Sequence, residues 1–317
     1  MRVAVVGAGG VGGYYGGRLA AAGLDVAFLA RGAHLAALQR DGLRVDSPLG
    51  NIRLTEVKAS GIPAEIGPVD VVLFCVKLYD TAAAAREMAP LVGPDTTIIC
   101  LQNGVDGPSL LAEAHGADHV VPGTVYLVSE LAGPGHIVHS AVDRPILGAA
   151  SGVAGERVKA LVDAWRSAGS AADISDEIHV EIWRKFVRLC TFSAIGCAAR
   201  LPVGPILRDP ETRVLMVAAL EEAVTVARAT GVLLEGGFAS ESLAFLLAMT
   251  PDSKPSMLRD LEAGRRLELP WLSGTIVRLG AERGVPTPIH GFCYKILRPH
   301  QDGPPAIIGP DDTALSA

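Results

Sequence analysis

A glycine-rich hexapeptide near the start of the chain has the residue types and the spacing to bind a dinucleotide. It is a G-x-G-x-x-G element made of Gly7, Ala8, Gly9, Gly10, Val11 and Gly12. The first glycine permits a tight turn, the second lets the backbone approach a pyrophosphate, and the third lets helix and strand pack closely. The following helix offers N–H groups and its positive dipole end to the phosphates. We therefore expect these six residues to bind a dinucleotide; a glycine-rich turn without a ligand is the alternative.

Arg31 indicates which dinucleotide this would be. Sites that prefer NAD usually place Asp or Glu at the end of the second strand, where the carboxylate binds the ribose 2′-hydroxyl. Here the apolar run at 25–29 is followed by Ala30 and Arg31, with no acidic residue. A guanidinium makes two charge-assisted hydrogen bonds to a 2′-phosphate. The sequence therefore predicts NADP(H), and a solvated surface arginine is the alternative.

Polar residues stand at the ends of two further apolar runs. Lys77 follows the run at 70–76, and Asn103 follows the run at 97–101. Because ligands of open α/β sheets bind outside the carboxyl ends of the strands, this placement favours a shared site for both side chains beside the cofactor. Ordinary loop chemistry is the alternative, since Asn-Gly is a common turn pair.

Three residues of the second half could act on a substrate. Lys185 interrupts an otherwise apolar helical pattern, and an ammonium facing a cleft from such a helix has a lowered pKa. Ser256 begins another helical pattern, and Glu268 follows it. From the residues alone, the more common interpretations are a lysine whose stem reaches solvent, a helix cap and a surface acid.

The elements that must position these residues are short strands alternating with alanine-rich helices in the first half, which predicts a parallel, doubly wound sheet. Predicted strands lie at 2–6, 25–29, 70–76 and 97–101, with shorter ones at 125–131, 136–139 and 145–147; predicted helices lie at 11–22, 34–40, 81–89 and 109–114. Gly13, Gly16 and Gly17 are unusual inside a helix and imply close packing against a partner that the sequence does not identify.

After about residue 172 the pattern becomes helical throughout. Helical spacing recurs at 178–199, 211–230, 238–249 and 271–283. We predict an α/β protein: an N-terminal Rossmann-type domain with a parallel sheet (1–172), then a mostly α-helical C-terminal domain for substrate binding and dimerisation (173–300), and a flexible tail (301–317).

Composition excludes several classes of protein. Hydrophobic residues are 49% and charged residues 20% of the 317, so a packed core is available and disorder is excluded as the main state. The net charge of −6 leaves no basic stripe for nucleic acid. No apolar run reaches the roughly 18 residues of a membrane span, and the apolar start leads into glycines rather than a cleavage segment. The five cysteines contain no C-x-x-C pair, which is typical of a reduced compartment. We predict a cytoplasmic protein without nucleic-acid or membrane partners.

Two other kinds of enzyme are disfavoured. The eight histidines include no pair four residues apart within a predicted helix, so a metal site is not expected. The chain also has no G-x-S-x-G element of the kind that carries a serine nucleophile.

Taken together and in this order, the motifs resemble those of the ketopantoate reductase (2-dehydropantoate 2-reductase) family, through about residue 298. The matching elements are the glycine hexapeptide, Ala30-Arg31-Gly32, Val76-Lys77, Leu101-Gln102-Asn103-Gly104, Pro134-Gly135-His136, Trp183-Arg184-Lys185, Pro255-Ser256-Met257-Leu258 through Asp260, and Glu268. Several short motifs in one order are far more specific than any of them alone. The resemblance therefore outweighs the solvent-facing interpretation of Lys185.

For the substrate, the resemblance implies three roles. Lys185 matches the family's catalytic lysine, a general acid toward the ketone oxygen. Ser256 and Glu268 match the serine and glutamate that hold the substrate's polar groups. Glu268 is also expected to act in catalysis, by orienting the lysine or by accepting a hydrogen bond from a substrate hydroxyl.

For the cofactor, the resemblance implies three more. Arg31 matches the arginine that recognises the 2′-phosphate of NADPH. Lys77 matches a lysine lining the cofactor and substrate cleft, and Asn103 matches an asparagine near both the nicotinamide and the substrate.

The chain departs from the family where asparagines usually line the substrate. Four and eight residues after the lysine it has Leu189 and Ser193, and Ser273 stands where an asparagine is usual before a glycine. Sites built for such hydrogen bonds discriminate strongly, so these departures favour an altered or more apolar substrate. Ser193 remains a candidate substrate contact. Arg188 could bind a carboxylate instead, an exposed helix arginine being the alternative.

The leading hypothesis is NADPH-dependent reduction of a 2-oxo acid to a 2-hydroxy acid, with 2-dehydropantoate reduced to pantoate as the default. The first alternative is a relative that reduces a different 2-oxo acid. The second is a non-catalytic NADP-binding sensor, which would need the nucleotide loop but not Lys185, Ser256 and Glu268 together. The apolar helices of the second half could pair two chains, so a homodimer is a candidate assembly.

Overall fold

A ten-stranded sheet organises the first part of the computed structural model, which describes residues 1–305. Its strands are β1 (Arg2–Val6), β2 (Asp25–Leu29), β3 (Leu43–Asp46), β4 (Ile52–Leu54), β5 (Lys58–Ser60), β6 (Val69–Phe74), β7 (Val92–Cys100), β8 (Val120–Gly133), β9 (His136–Gly148) and β10 (Asp173–Ser175). Residues 306–317, and with them most of the tail predicted at 301–317, lie outside the described residues.

The strand order is β4-β3-β9-β8-β7-β6-β1-β2-β5, and β10 pairs with β9. The strands from β8 through β5 in this order are all paired in parallel, which confirms the predicted sheet. The chain first passes from β1 to β2 and later returns on the other side of β1 to form β6. Such a switch point opens a crevice at the carboxyl ends of the strands, which is where ligands of these sheets bind.

Strands β8 and β9 form a long antiparallel hairpin that extends the parallel part. The sequence predicts three short strands here, and the structure joins them into strands of 14 and 13 residues. Register shifts at Leu127, Val128 and Leu131 interrupt the alternation of buried and exposed side chains. A β-bulge has this effect, and it explains why the sequence pattern looks broken.

The central strands are buried on both faces. Along β1, Val3 and Val5 belong to one hydrophobic cluster, whereas Ala4 and Val6 belong to the other. Successive side chains of a strand point to opposite faces, so both faces of the sheet are covered. This double burial is the reason for the near-continuous apolar runs in the sequence.

The helices are α1 (Gly10–Ala21), α2 (Gly32–Asp41), α3 (Pro63–Ile66), α4 (Thr81–Glu87), α5 (Gly107–His115), α6 (Gly152–Ser167), α7 (Ile178–Ala199), α8 (Val203–Arg208), α9 (Pro210–Ala229), α10 (Phe238–Leu247), α11 (Ser256–Glu262), α12 (Ser273–Arg283) and α13 (Pro288–Leu297). Helix α6 is absent from the sequence-based prediction, although it buries Val158, Leu161, Val162 and Trp165 at helical spacing. That spacing is the signal that could have identified it.

The chain divides into two compact units, the first being Met1–Lys185 and the second beginning at Phe186. The division falls inside α7, whereas the sequence places a domain boundary after residue 172. Residues 186–305 form helices and connecting turns, as the helical patterns predict. Helix α9 shows why: Asp209 caps it by accepting a hydrogen bond from Thr212 N at 2.8 Å, and Pro210 occupies its first position.

The structure identifies what the extra glycines of α1 pack against. A Cβ at Gly13 would lie 2.8 Å from Ile137 Cδ1, and one at Gly16 would lie 2.6 Å from Val5 Cγ2. At Gly17 the nearest atom would be Leu43 Cδ2, at 3.1 Å. The helix therefore lies directly on the sheet and the hairpin, and this close approach fixes where its first turn begins.

Candidate active site

The glycine hexapeptide forms the turn between β1 and α1. Gly7 has a φ of +94°, and a Cβ there would lie 2.7 Å from Val76 N. A Cβ at Gly12 would lie 2.3 Å from Gly7 O, whereas one at Gly9 would meet no atom within 4 Å. The fold itself therefore requires Gly7 and Gly12. Gly9 borders open space, as backbone that approaches a pyrophosphate must.

The first turn of α1 is suited to an anion. The helix begins at Gly10, has no side-chain cap at Gly9 and carries no acidic residue in its first turn. The leading N–H groups of a helix have no partner within the helix, and the dipole favours negative charge there. A Cβ at Gly10 would lie 2.8 Å from Ser129 O, so β8 closes one side of this turn. The residues present fit a dinucleotide phosphate.

Arg31 lies directly after β2, as predicted, at the residue that precedes α2. Its guanidinium is exposed and forms an ion pair with Glu87, the last residue of α4. Any phosphate that binds Arg31 must compete with this carboxylate. Sequence reasoning missed Glu87, and no local signal could have found it, because the two residues are far apart in the chain.

The loops that carry Lys77 and Asn103 are tied together by a buried glutamine. Gln102 Nε2 donates to Val76 O at 2.9 Å and to Thr81 Oγ1 at 2.8 Å. The end of β7 is thereby joined to the turn after β6, in which Lys77 is half-buried. As predicted, the carboxyl ends of these two strands lie next to each other.

Lys185 and Asn103 meet in the first unit. Lys185 Nζ donates to Asn103 Oδ1 at 2.7 Å, and both side chains are half-buried. An ammonium can only donate, so the amide oxygen of Asn103 must face it. The lysine on α7 is therefore held at the carboxyl end of β7, and its ammonium does not simply extend into solvent.

Ser256 and Glu268 belong to the second unit. Ser256 is exposed and is the first residue of α11, whose capping position is Pro255. Its interpretation as a helix cap is therefore wrong. Glu268 is 4% exposed, so its interpretation as a surface acid is also wrong. A carboxylate is kept at such a position only when it is hydrogen-bonded or paired.

The positions at which the chain departs from the family are buried to different degrees. Leu189 is half-buried, and Ser193 and Ser273 are fully buried. The hydroxyls of both serines have no hydrogen-bond partner among residues 1–305. Serine is shorter than the asparagine usual in the family, and leucine has a similar size but no polar group, so all three positions lose the hydrogen bonds of an amide.

Arg188 is engaged inside the second unit. Its guanidinium pairs with Glu241 at 2.7 Å and donates to Ser242 Oγ at 3.2 Å. It also lies over the rings of Phe238 and Phe245, 4.9 Å and 4.7 Å from their centroids. These contacts assign Arg188 to the packing of α7 against α10.

Two features are absent from the described part of the chain. No group of three or more His, Cys, Asp or Glu side chains in residues 1–305 could hold a metal ion. Over the same residues, none of the helices combines the length and the apolar run that crossing a bilayer would require.

Two family models match the chain. That of ketopantoate reductase PanE/ApbA covers residues 3–152, and that of its C-terminal part covers residues 177–301. Both matched segments contain candidate site residues: the first includes the glycine hexapeptide and Asn103, and the second includes Lys185 and Glu268.

Individual relatives agree with these matches. An uncharacterized oxidoreductase, YkpB, of Bacillus subtilis is 32% identical over 95% of this chain and 99% of its own length. A 2-dehydropantoate 2-reductase of Mesorhizobium japonicum is also 32% identical, over 94% of this chain and 97% of its own. The crystal structure of 2-dehydropantoate 2-reductase from Geobacter metallireducens superposes with a TM-score of 0.88 at 33% identity, covering 94% of this chain and 99% of that one.

Proposed function

The chain belongs to the ketopantoate reductase family of oxidoreductases, and we propose that it reduces 2-dehydropantoate to pantoate with NADPH, with Lys185 as the general acid. The observation that carries this proposal is the hydrogen bond of 2.7 Å between Lys185 Nζ and Asn103 Oδ1. It holds an ammonium at the edge of the sheet where ligands of this fold bind.

The chemistry explains why a lysine is needed. When bound, the reduced dinucleotide supplies a hydride to the carbonyl carbon of the 2-oxo acid. Negative charge then develops on the ketone oxygen, where the Lys185 ammonium stabilises it and delivers the proton that completes the alcohol. General-acid help of this kind is worth roughly 10²–10⁴-fold in rate. Asn103 accepts one N–H of the ammonium and so fixes the position of the Lys185 side chain.

The cofactor would be held by the first unit alone. Gly9 and the first turn of α1 suit the pyrophosphate, and Arg31 suits a 2′-phosphate. Lys77 and Asn103 stand at the ends of β6 and β7, where the proposal places the nicotinamide half. The absence of an acid after β2 favours NADPH over NADH.

Residues of the second unit would hold the substrate. Glu268 is proposed to accept hydrogen bonds from a substrate hydroxyl, and its burial supports a paired role. Ser256, exposed at the start of α11, is proposed to bind a polar group of the substrate. Ser193 is a weaker candidate, because its side chain is fully buried.

A second candidate function is reduction of a different 2-oxo acid. Leu189, Ser193 and Ser273 replace three amides of the family, and lost hydrogen bonds of this kind shift specificity strongly. Such a substrate would carry fewer polar groups than 2-dehydropantoate.

A panel of 2-oxo acids separates the two candidates. NADPH oxidation is followed with 2-dehydropantoate and with apolar 2-oxo acids of similar size, and kcat/KM is compared. The proposal expects 2-dehydropantoate to be the best substrate by about tenfold or more, because its hydroxyl should still find buried polar partners. A higher kcat/KM for an apolar acid would support the second candidate. Cofactor binding without turnover of any acid would indicate a sensor and overturn both.

We expect Arg31→Ala to raise the KM for NADPH by about 10–100-fold and the KM for NADH by less than about threefold, since a charged hydrogen bond is worth about 1.5–3 kcal/mol. The matched variant Glu87→Gln removes the competing carboxylate, and it should lower the KM for NADPH by up to about fivefold. Steady-state kinetics with both dinucleotides measures these ratios. Equal losses for NADPH and NADH in Arg31→Ala would rule out the assignment of the 2′-phosphate to this arginine.

A further inference from the structure

A histidine of α2 joins the nucleotide loop to the tip of the β8–β9 hairpin. His34 Nε2 lies 2.8 Å from Ala8 O, inside the glycine hexapeptide. On the other side of the ring, Gly135 N donates to His34 Nδ1 at 3.0 Å. One imidazole thus connects three segments that are distant in sequence.

The two contacts determine the protonation state of the ring. A backbone N–H can only donate, so Nδ1 is the acceptor and Nε2 carries the proton that it gives to the Ala8 carbonyl. A doubly protonated ring would present a second donor to Gly135 N–H and would break the connection. Burial lowers the pKa of His34, which preserves the neutral ring at neutral pH.

Gly135, at the tip of the β8–β9 hairpin, is itself held in place by its neighbours. Gly135 has a φ of +70°, and a Cβ there would lie 3.2 Å from Ala37 Cβ of α2. Its carbonyl accepts a hydrogen bond from Arg44 N at 2.8 Å. Gly135 is therefore held by both its N–H and its carbonyl, so His34 is fixed on that side.

On its other side His34 contacts Ala8, in the part of the glycine loop that a pyrophosphate would approach. Ala8 is buried and lies between Gly7, which the fold requires, and Gly9, which borders open space. The Ala8 carbonyl and the Gly9 N–H belong to the same peptide unit, so the hydrogen bond from His34 restrains the direction of both. The next peptide unit is held separately, by the hydrogen bond from Gly13 N to Gly9 O at 2.7 Å.

We propose that His34 is a positioning residue for the dinucleotide, which holds the Ala8 carbonyl so that the N–H of Gly9, in the same peptide unit, stays directed at the pyrophosphate. This inference rests on the proposed function, because it takes the ligand of the loop to be a dinucleotide. It also gives Gly135, the middle residue of Pro134-Gly135-His136, a connection to the nucleotide loop through His34. The pyrophosphate is common to NADPH and NADH, so His34 affects both alike, whereas Arg31 changes their ratio.

Two amide substitutions separate the two hydrogen bonds. The side-chain nitrogen of glutamine lies about as far from the backbone as Nε2, so His34→Gln can still donate to Ala8. The asparagine amide lies at the depth of Nδ1, so His34→Asn can accept from Gly135 but falls short of Ala8. His115→Asn is the matched control, since His115 also contacts a backbone carbonyl, that of Ala85 at 2.8 Å, but not the loop.

The dissociation constants of NADPH and NADH are measured by fluorescence titration, with kcat at saturating substrates. His34→Asn should raise both constants by about 5–50-fold, because it leaves a buried carbonyl without its partner. His34→Gln and His115→Asn should stay within about threefold of the parent protein, and kcat should be unchanged in all of them.

Three outcomes would overturn the role of His34: equal losses in the Asn and Gln variants, unchanged affinity in the Asn variant, or a fall in kcat in place of affinity. If the parent protein bound neither dinucleotide, the proposed function would fail and His34 would lose its role with it. Tight binding by the parent with unchanged variants would overturn the role of His34 alone.

Discussion

Replacing Lys185 by methionine is expected to lower kcat by about 10²–10⁴-fold, the usual contribution of a general acid. Methionine keeps the length and the apolar stem of the side chain but offers no proton and no charge to the ketone oxygen. The dissociation constant of NADPH should change little, because the glycine loop and Arg31 are untouched. Single-turnover and steady-state rates of NADPH oxidation with the best 2-oxo acid measure the effect.

The control for this variant is the same substitution at another lysine. Lys159 is exposed on α6, and Lys159→Met should leave both kcat and cofactor affinity at the parent value. If Lys185→Met retained more than half of the parent kcat, the proton would have to come from another group and the assignment would be withdrawn. A large rise in KM without a fall in kcat would instead make Lys185 a binding residue.

The second large effect should appear when two glycines of the same loop receive the same substitution. A side chain at Gly12 would lie 2.3 Å from Gly7 O and 2.8 Å from Val5 Cγ1, so Gly12→Ser must push α1 away from β1. We expect it to lower the free energy of unfolding by about 1–3 kcal/mol and to abolish measurable dinucleotide binding.

Gly9→Ser should separate binding from stability. A Cβ at Gly9 meets nothing within 4 Å, its φ of −75° suits any residue, and serine is a favoured helix N-cap. The melting temperature should therefore be unchanged or slightly raised. The added side chain occupies the approach to the pyrophosphate, and a loss of about 2–3 kcal/mol would raise the dissociation constant of NADPH roughly 30–150-fold.

Thermal unfolding and fluorescence titration of the two serine variants test this pair. A drop in melting temperature for Gly9→Ser equal to that of Gly12→Ser would show that Gly9 is also a packing residue. Undiminished NADPH binding by Gly9→Ser would place the pyrophosphate elsewhere.

Much of the secondary structure of the first unit can be predicted from the sequence, because the patterns that indicate it involve only neighbouring residues. The sequence predicts strands at 2–6 and 25–29, and these are the boundaries of β1 and β2. Both are apolar runs that end at glycine or alanine. Buried parallel strands leave this continuous pattern, and a glycine turn ends it. The short strands β3, β4, β5 and β10 are absent from the sequence-based prediction, since three or four residues with one exposed face leave little pattern.

The candidate site, too, is partly predictable from the sequence and partly not. The types and order of its residues, from the glycine hexapeptide to Glu268, could be found without coordinates. The environment of Lys185 could not, because an isolated helix pattern favours a lysine that reaches solvent. Its partner Asn103 lies 82 residues away, and Arg31 and Glu87 are separated by 56 residues.

The sequence by itself determined the central strands, several of the long helices, the glycine turn and the family, because backbone hydrogen bonding, burial period and turn geometry depend on a few neighbouring residues. Only the tertiary structure decided which groups meet: the ammonium of Lys185 and the amide of Asn103, the guanidinium of Arg31 and Glu87, the imidazole of His34 and two loops. Those contacts depend on the order and register of the strands in the sheet. Strand order is set by the packing of the whole unit, so no local window of the chain contains it.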